Sequence, residues 1–294
     1  MNNALASLDD MEFIKGHGTE NDFVLFFDPE GTLVLTEENI QAVCDRRAGI
    51  GADGVIRAVF LGKADVSQDV ATGVSADTWF MDYRNADGSL AEMCGNGARV
   101  FAAFLEHHTG WDLSEGLKIA TRAGERVIRA HGGGDYSVSM GTSTITSHAT
   151  STVYVEARGL EGRREATSAS IGNFHTVVQV NSIHELEALD LSVAPRVTPT
   201  PEEETNVEFM VIEGPGRVRM RVHERGVGET RSCGTGACAA AIVAAEYERK
   251  DSPPEWVVAV PGGQVSVTIR GDETVLKGPA RLVADGIITA SAPE

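Results

Sequence analysis

The chain has 294 residues, enough for two domains of ordinary size, and 42% of them are hydrophobic, as in a folded globular protein. Its formal net charge is −18, a surface that repels phosphate backbones and anionic lipid, so nucleic acid and membranes are excluded as partners. The opening "MNNALASLDDME" has no basic region followed by an apolar stretch of signal-peptide length, and "ACAAAIVAA" is too short to span a bilayer, which points to the cytoplasm.

In chain order, alternating runs such as "DFVLFF", "DGVIRAVF", "HTVVQV", "GRVRMRVHE" and "VVAVPGGQVSVTI" read as strands. Helices are expected at 36–47, 97–108, 182–190 and 235–248. Segments 63–78 and 193–205 read as surface loops. The Ser/Thr-rich "GTSTITSHATST" (141–152) reads as a linker between two halves. "GIGADG" (49–54) fits G-x-G-x-x-G, but a helical run precedes it and a strand-like run follows. That is the reverse of a dinucleotide site, where the pyrophosphate meets a helix N-terminus.

Two of the four cysteines stand in matched settings. Cys94 opens "CGNGARVFAAF" and Cys233 opens "CGTGACAAA", and thirty residues after each comes a glycine, Gly124 and Gly263. Each half then continues with a strand and another glycine, Gly141 and Gly278. Chance explains one such coincidence; several indicate a duplicated unit with one cysteine per half. Cys44 and Cys238 read as small buried apolar residues. The spacing gives no zinc site, and no metal is expected.

At a helix start the glycines admit a ligand to the backbone, and first-turn N–H groups suit a carboxylate. The same field lowers a thiol pKa toward neutrality. Two such thiols on opposite faces of one carbon would form a two-base racemase, with no pyridoxal lysine and no other cofactor required.

These motifs carry a family resemblance. "KGHGTENDF" (15–23), "NADGS" (85–89), "CGNGAR" (94–99), "TNVEF" (205–209), "HERGVGETRSCGTGACAA" (223–240) and "VPGG" (260–263) resemble the diaminopimelate epimerases. The resemblance implies an α+β fold of two pseudo-symmetric domains, each a curved, mostly antiparallel sheet around a central helix, with the active site in the cleft between. The domains would be 1–141, with 280–294 returning to it, and 142–279. It implies cofactor-independent epimerisation of LL- to meso-diaminopimelate, for lysine and peptidoglycan precursors, in a homodimer acting on a small amino-acid substrate. Cys94 and Cys233 would be the acid/base thiols, and His175 and Glu224 would adjust their pKa values. Asn21, Asn85, Asn173 and Asn206 would hold the substrate's charged ends, Gly95-Asn96 and Gly234-Thr235 would cradle the reacting carboxylate, and Glu224 and Arg225 would recognise the amino-acid groups. Two other readings stay open: a proline racemase-like isomerase on the same fold, and a redox-sensing protein whose cysteines oxidise.

Overall fold

The computed structural model describes residues 3–67, 70, 72–146, 152–249 and 252–290. The chain separates into two compact units, Met1–Val138 with Pro279–Glu294, and Ser139–Gly278. Part of the expected linker, 147–151, lies outside the described residues, while Thr144–Ile145 forms a short strand beside Ser170 and Ala169.

In the first unit, strand Glu12–Gly18 runs antiparallel to Asn21–Phe27, which runs parallel to Gly54–Phe60. Gly54–Phe60 is antiparallel to Trp79–Asn85, which bridges in parallel to Leu117–Thr121, itself in a hairpin with Gly124–Ala130. The C-terminal strand Arg281–Ile287 adds antiparallel to Glu12–Gly18. Helix α1 (Glu37–Cys44) makes the crossover between the parallel strands, and helix α2 (Gly95–Thr109) follows the fourth strand and packs in the centre of the sheet.

The second unit repeats that order. Arg164–Ser170 is antiparallel to Phe174–Gln179, which is parallel to Asn206–Gly214, with the short helix α3 (Ile183–Ala188) on the crossover. Asn206–Gly214 is antiparallel to Arg217–Glu224, which pairs in parallel with Glu255–Val260, itself in a hairpin with Gly263–Arg270. Helix α4 (Gly234–Glu248) takes the central place.

Local chemistry sets the helix ends. Thr36 and Asn39 form a reciprocal capping box at the start of α1. That helix stops at Cys44, short of the expected Arg47, because the Asp45 carboxylate takes the N–H groups of Arg47 and Ala48 into a turn. Gly110, left-handed at φ 69°, ends α2. Along α4 every residue from Gly236 to Ala244 is buried, and the alanines let the surrounding strands approach closely. No described helix is long and apolar enough to cross a membrane.

Candidate active site

Cys94 and Cys233 occupy the same structural position in their units. Each is the N-cap of its central helix, at φ −132° ψ 117° and φ −121° ψ 119°, and each sulfur accepts the N–H of the residue three positions on, Gly97 or Gly236, at 3.3 Å. Ser, Thr, Asp and Asn are the efficient residues here, because a side-chain oxygen accepts more strongly than sulfur. A thiol at both caps therefore sacrifices helix stability at two equivalent places.

Strand pairing extends the equivalence. Phe23 faces Gly54 in one unit and His175 faces Asn206 in the other, so Asn21 and Asn173 correspond, each two residues upstream. Asn85 lies nine residues before Cys94, and Glu224 nine before Cys233. Asn96 and Thr235 each follow their cysteine by two positions.

In the first unit, Asn21 Oδ1 stands 3.6 Å from Cys94 Sγ and accepts from Asn96 Nδ2 at 3.3 Å. Asn21 Nδ2 donates to Asp53 Oδ2 at 2.7 Å, and Asp53 Oδ1 pairs with Arg46 at 2.7 Å. The turn that delivers Asn21 is a two-residue hairpin with both Thr19 and Glu20 left-handed, at φ 51° and 63°. For residues with a Cβ this conformation costs about 1 kcal/mol or more each. The fully buried Arg99 of α2 ties the turn down, donating to Thr19 Oγ1 at 3.2 Å and to Asn96 Oδ1 at 3.0 Å. Asn85 ends its strand with Oδ1 accepting from Tyr83 at 3.0 Å and Nδ2 donating to Ser89 at 3.1 Å. Asp22, beside Asn21, is braced by Lys15 at 2.8 Å and Arg46 at 2.7 Å.

In the second unit, Cys233 Sγ lies 3.4 Å from Thr235 Oγ1, which receives Asn173 Nδ2 at 3.3 Å. Asn173 Oδ1 lies 2.9 Å from His175 Nε2, and His175 Nδ1 lies 2.7 Å from Glu208 Oε1. Asn206 accepts the Arg225 N–H at 3.0 Å and donates to the Phe174 carbonyl at 3.3 Å, while the Arg225 guanidinium reaches the Glu204 carbonyl at 3.3 Å. Glu224 receives the Thr230 hydroxyl and a hydrogen bond from Cys233. Gly95 and Gly234 are buried in the first turns of their helices.

One electrostatic expectation is overturned. A helix start was expected to lower the thiol pKa, yet burial pushes the Cys233 thiol well above its ordinary value, and the Glu224 and Glu208 carboxylates push it further. The Thr235 hydroxyl and the Gly236 N–H act in the opposite direction and are outweighed. Burial raises Glu224 as well, against the hydrogen bonds it accepts. Burial likewise carries the Cys44 thiol up to about 12, an inert core thiol.

Glu208, Asp53, Arg46 and Arg99 did not stand out from the sequence. Glu208 had a signal: a carboxylate between Val207 and Phe209, in a strand whose first six residues are all buried. Among the described residues no cluster of three or more His, Cys, Asp or Glu is arranged to hold a metal ion.

The diaminopimelate epimerase family profile matches residues 13–146 and 167–283. The chain belongs to the diaminopimelate epimerase family. A diaminopimelate epimerase of Streptomyces coelicolor is 44% identical over 284 residues, 93% of this chain and 94% of that protein. One of Rhodococcus opacus is also 44% identical, over 94% of this chain and 96% of its own. Among solved structures, a predicted epimerase from Pseudomonas aeruginosa superposes with a TM-score of 0.67 at 15% identity, over 96% of this chain and all of that one. A phenazine biosynthesis protein of the PhzF family from Bacillus anthracis gives 0.65 at 17%, over 95% of this chain and 98% of that one. The fold is the sheet-dominated α+β fold of this group, and the protein is an isomerase of the epimerase class.

Proposed function

We propose that the protein interconverts LL- and meso-diaminopimelate without a cofactor, through Cys94 and Cys233 acting on opposite faces of one α-carbon. The observation that carries this reading is the pair of sulfur-capped helices, built alike in two units of the same strand order. One sulfur, as thiolate, takes the α-proton: an S–H bond forms, the C–H bond breaks, and its electron pair moves into the substrate carboxylate. The opposite thiol gives its proton to the other face of the carbon. First-turn N–H groups at Gly95-Asn96 and Gly234-Thr235 hold the carboxylate as it gains charge. Asn21, Asn85, Asn173 and Asn206 serve the zwitterionic ends, since an amide both donates and accepts. Glu224 and Arg225 complete recognition of the amino-acid groups. Glu224, hydrogen-bonded to Cys233, is the base that takes the proton from that buried thiol. On this reading the two halves, 1–141 with 280–294 and 142–279, each supply one thiol, and the enzyme works in the cytoplasm as a homodimer, providing lysine and peptidoglycan precursors.

The test is solvent exchange. In deuterium oxide, without added cofactor, LL- and meso-diaminopimelate supplied separately are expected to gain deuterium at the α-carbon as they interconvert. Absence of exchange with both would remove the assignment.

A further inference from the structure

Asp53 has no part in the chemistry above, yet it holds the amide of Asn21. Its Oδ2 receives Asn21 Nδ2 at 2.7 Å and the Asp22 N–H at 3.1 Å, and its Oδ1 receives Arg46 Nη2 at 2.7 Å. A carboxylate paired with a guanidinium only accepts, which fixes the direction of the Asn21 bond. The Asn21 NH2 must face Asp53, because the flipped amide would set oxygen against oxygen. Asn21 Oδ1 is then the atom at the helix start, 3.6 Å from Cys94 Sγ and 3.3 Å from Asn96 Nδ2.

The far end is fixed as firmly. Arg99, a donor only, gives Nη2 to Asn96 Oδ1 at 3.0 Å, so the Asn96 NH2 must point to Asn21. Arg99 and Asn96 are buried, at 0% and 1% exposure, where a donor set against a donor is costly. The hydrogen bonds therefore run one way, from Arg99 through Asn96 and Asn21 to Asp53. An obligate donor stands at one end and an obligate acceptor at the other. The second unit has no counterpart: strand pairing puts Thr205 in the place of Asp53, and its hydroxyl lies against Thr176 Oγ1 at 3.2 Å and the Asn206 carbonyl at 3.0 Å.

We infer that Asp53 is a positioning residue for Cys94: with Arg99 at the far end, it clamps the Asn21–Asn96 amide pair so that Asn21 presents oxygen, not NH2, to the sulfur. This inference rests on the reading of Cys94 as a proton carrier. An amide oxygen takes the hydrogen of a thiol and offers a thiolate nothing, so the clamp suits a Cys94 that waits with its proton. Without the carboxylate, the Asn21 side chain keeps only its 3.3 Å bond from Asn96 and its contact with the thiol, and can swing away from the sulfur.

The experiment joins NMR of ¹⁵N-asparagine-labelled full-length protein to a double-mutant cycle in which epimerisation is followed by deuterium uptake at the α-carbon of diaminopimelate. Asn21→Ala identifies the Asn21 amide signals by their loss. In the wild type these NH2 protons are expected to exchange with solvent well below the rate of free asparagine, and in Asp53→Ala at close to the free rate. Asp53→Ala is expected to lower kcat/KM about 100-fold, the scale of a small misplacement near reacting atoms. In the Asn21→Ala background the same substitution is expected to cost no more than about 2-fold, since the residue it positions is gone. An equal loss in both backgrounds overturns the inference, because Asp53 would then act through the Asp22 N–H or Arg46 and not through Asn21. A freely exchanging Asn21 amide in the wild type also overturns it, whether or not Asp53→Ala folds. The amide measurement needs no turnover, so failure of the two-thiol reading, seen as an active Cys94→Ser, is distinguishable from failure of the clamp.

Discussion

The two central helices start alike and rest on different floors. Beneath the first turn of α2 lie Phe23, Ile56 and Met81, all buried and apolar. At the corresponding places beneath α4 stand His175, Glu208 and Met220, as strand pairing shows: Phe23 and His175 lead their parallel pairs, and Ile56 and Glu208 sit two residues beyond Gly54 and Asn206. Met81 and Met220 each lie thirteen residues before their cysteine. Duplication preserved backbone and cap, while the buried neighbours diverged from the phenyl of Phe23 and the sec-butyl of Ile56 to a hydrogen-bonded acid and imidazole. The surroundings also differ in polarity. Cys94 faces an amide oxygen, Asn21 Oδ1, whereas Cys233 faces a hydroxyl that can donate. A symmetric backbone thus carries an asymmetric pair of thiols, which suits the proposed reaction, in which one takes a proton while the other gives one.

The largest effect should come from the feature the halves share. Cys94→Ser and Cys233→Ser keep a cap, and a better one, so stability should hold or rise slightly. Each hydroxyl is a far weaker acid than the thiol, and activity should fall by about 10²–10⁴-fold in either variant. Steady-state epimerisation beside thermal unfolding checks both halves of the claim. Near-wild-type turnover in one variant would mean that only one sulfur carries protons.

Next comes the feature they do not share. His175→Phe copies the first unit's Phe23 but strands Glu208 in the core, and should cost about 3–5 kcal/mol of stability. Adding Glu208→Ile, the first unit's Ile56, removes the stranded group and should restore most of that loss, although not the activity. Denaturant unfolding of the two single variants and the double variant measures the coupling. A double variant no more stable than His175→Phe would show that the pair was not a buried charge or proton-sharing unit.

That divergence also marks where sequence reading stops. Strands 53–60 and 216–224, and the helices at the two Cys-Gly-x-Gly runs, were legible because burial periodicity and glycine punctuation are local signals. The duplicated cysteines were legible because the repeat could be counted. Glu208 was not: alternation predicts a side chain's face, and a carboxylate inside an apolar strand reads as an interruption until His175 is brought against it by a parallel pairing across thirty-three positions. Asp53 was hidden differently. It sits in a glycine run whose nucleotide reading is excluded by a helix before and a strand after, and its hold on Asn21 is a contact between segments 32 residues apart. The fate of the Cys233 thiol needed the fold as well, since helix-end field and desolvation oppose each other and only packing decides which is larger.

A smaller effect separates the halves at the residue after Asn21 and Asn173. The first unit places Asp22 there, the second the exposed Phe174. Burial works to raise the Asp22 pKa, but hydrogen bonds from Arg46 and Lys15 prevail and hold it at about 2, below the ordinary 3.8. Below about pH 4 the unfolded chain then takes up a proton that folded Asp22 refuses. Its contribution, about 2 kcal/mol at neutral pH, is therefore present above pH 4 and lost as pH falls through 2. Asp22→Asn should flatten that part of the acid limb in denaturant titrations from pH 6 to 2. Hydrogen exchange should place the acid-sensitive protection in Asn21–Phe27 and not in Phe174–Gln179. An unchanged limb would mean that the brace is equally strong in the unfolded chain.

The smallest contrast lies under the helices themselves. An alanine Cβ at Gly97 would meet Met81 Cε at 3.0 Å and Ile56 Cδ1 at 3.1 Å, both ends of side chains that can give way by a few tenths of an ångström. Alanine is also the better helix former, by about 1 kcal/mol. Gly97→Ala should therefore be close to neutral in stability and reduce activity only a few-fold. At Gly236 the same Cβ would stand 2.7 Å from Glu208 Oε1 and 3.3 Å from Cys233 Sγ. The carboxylate cannot retreat without lengthening its 2.7 Å contact with His175, so the gain in helix propensity is spent on strain. Gly236→Ala should lose about 1 kcal/mol of stability relative to Gly97→Ala and lose more activity. Equal behaviour of the two variants would show that Glu208 moves freely, and that the polar floor beneath Cys233 is as yielding as the apolar one beneath Cys94.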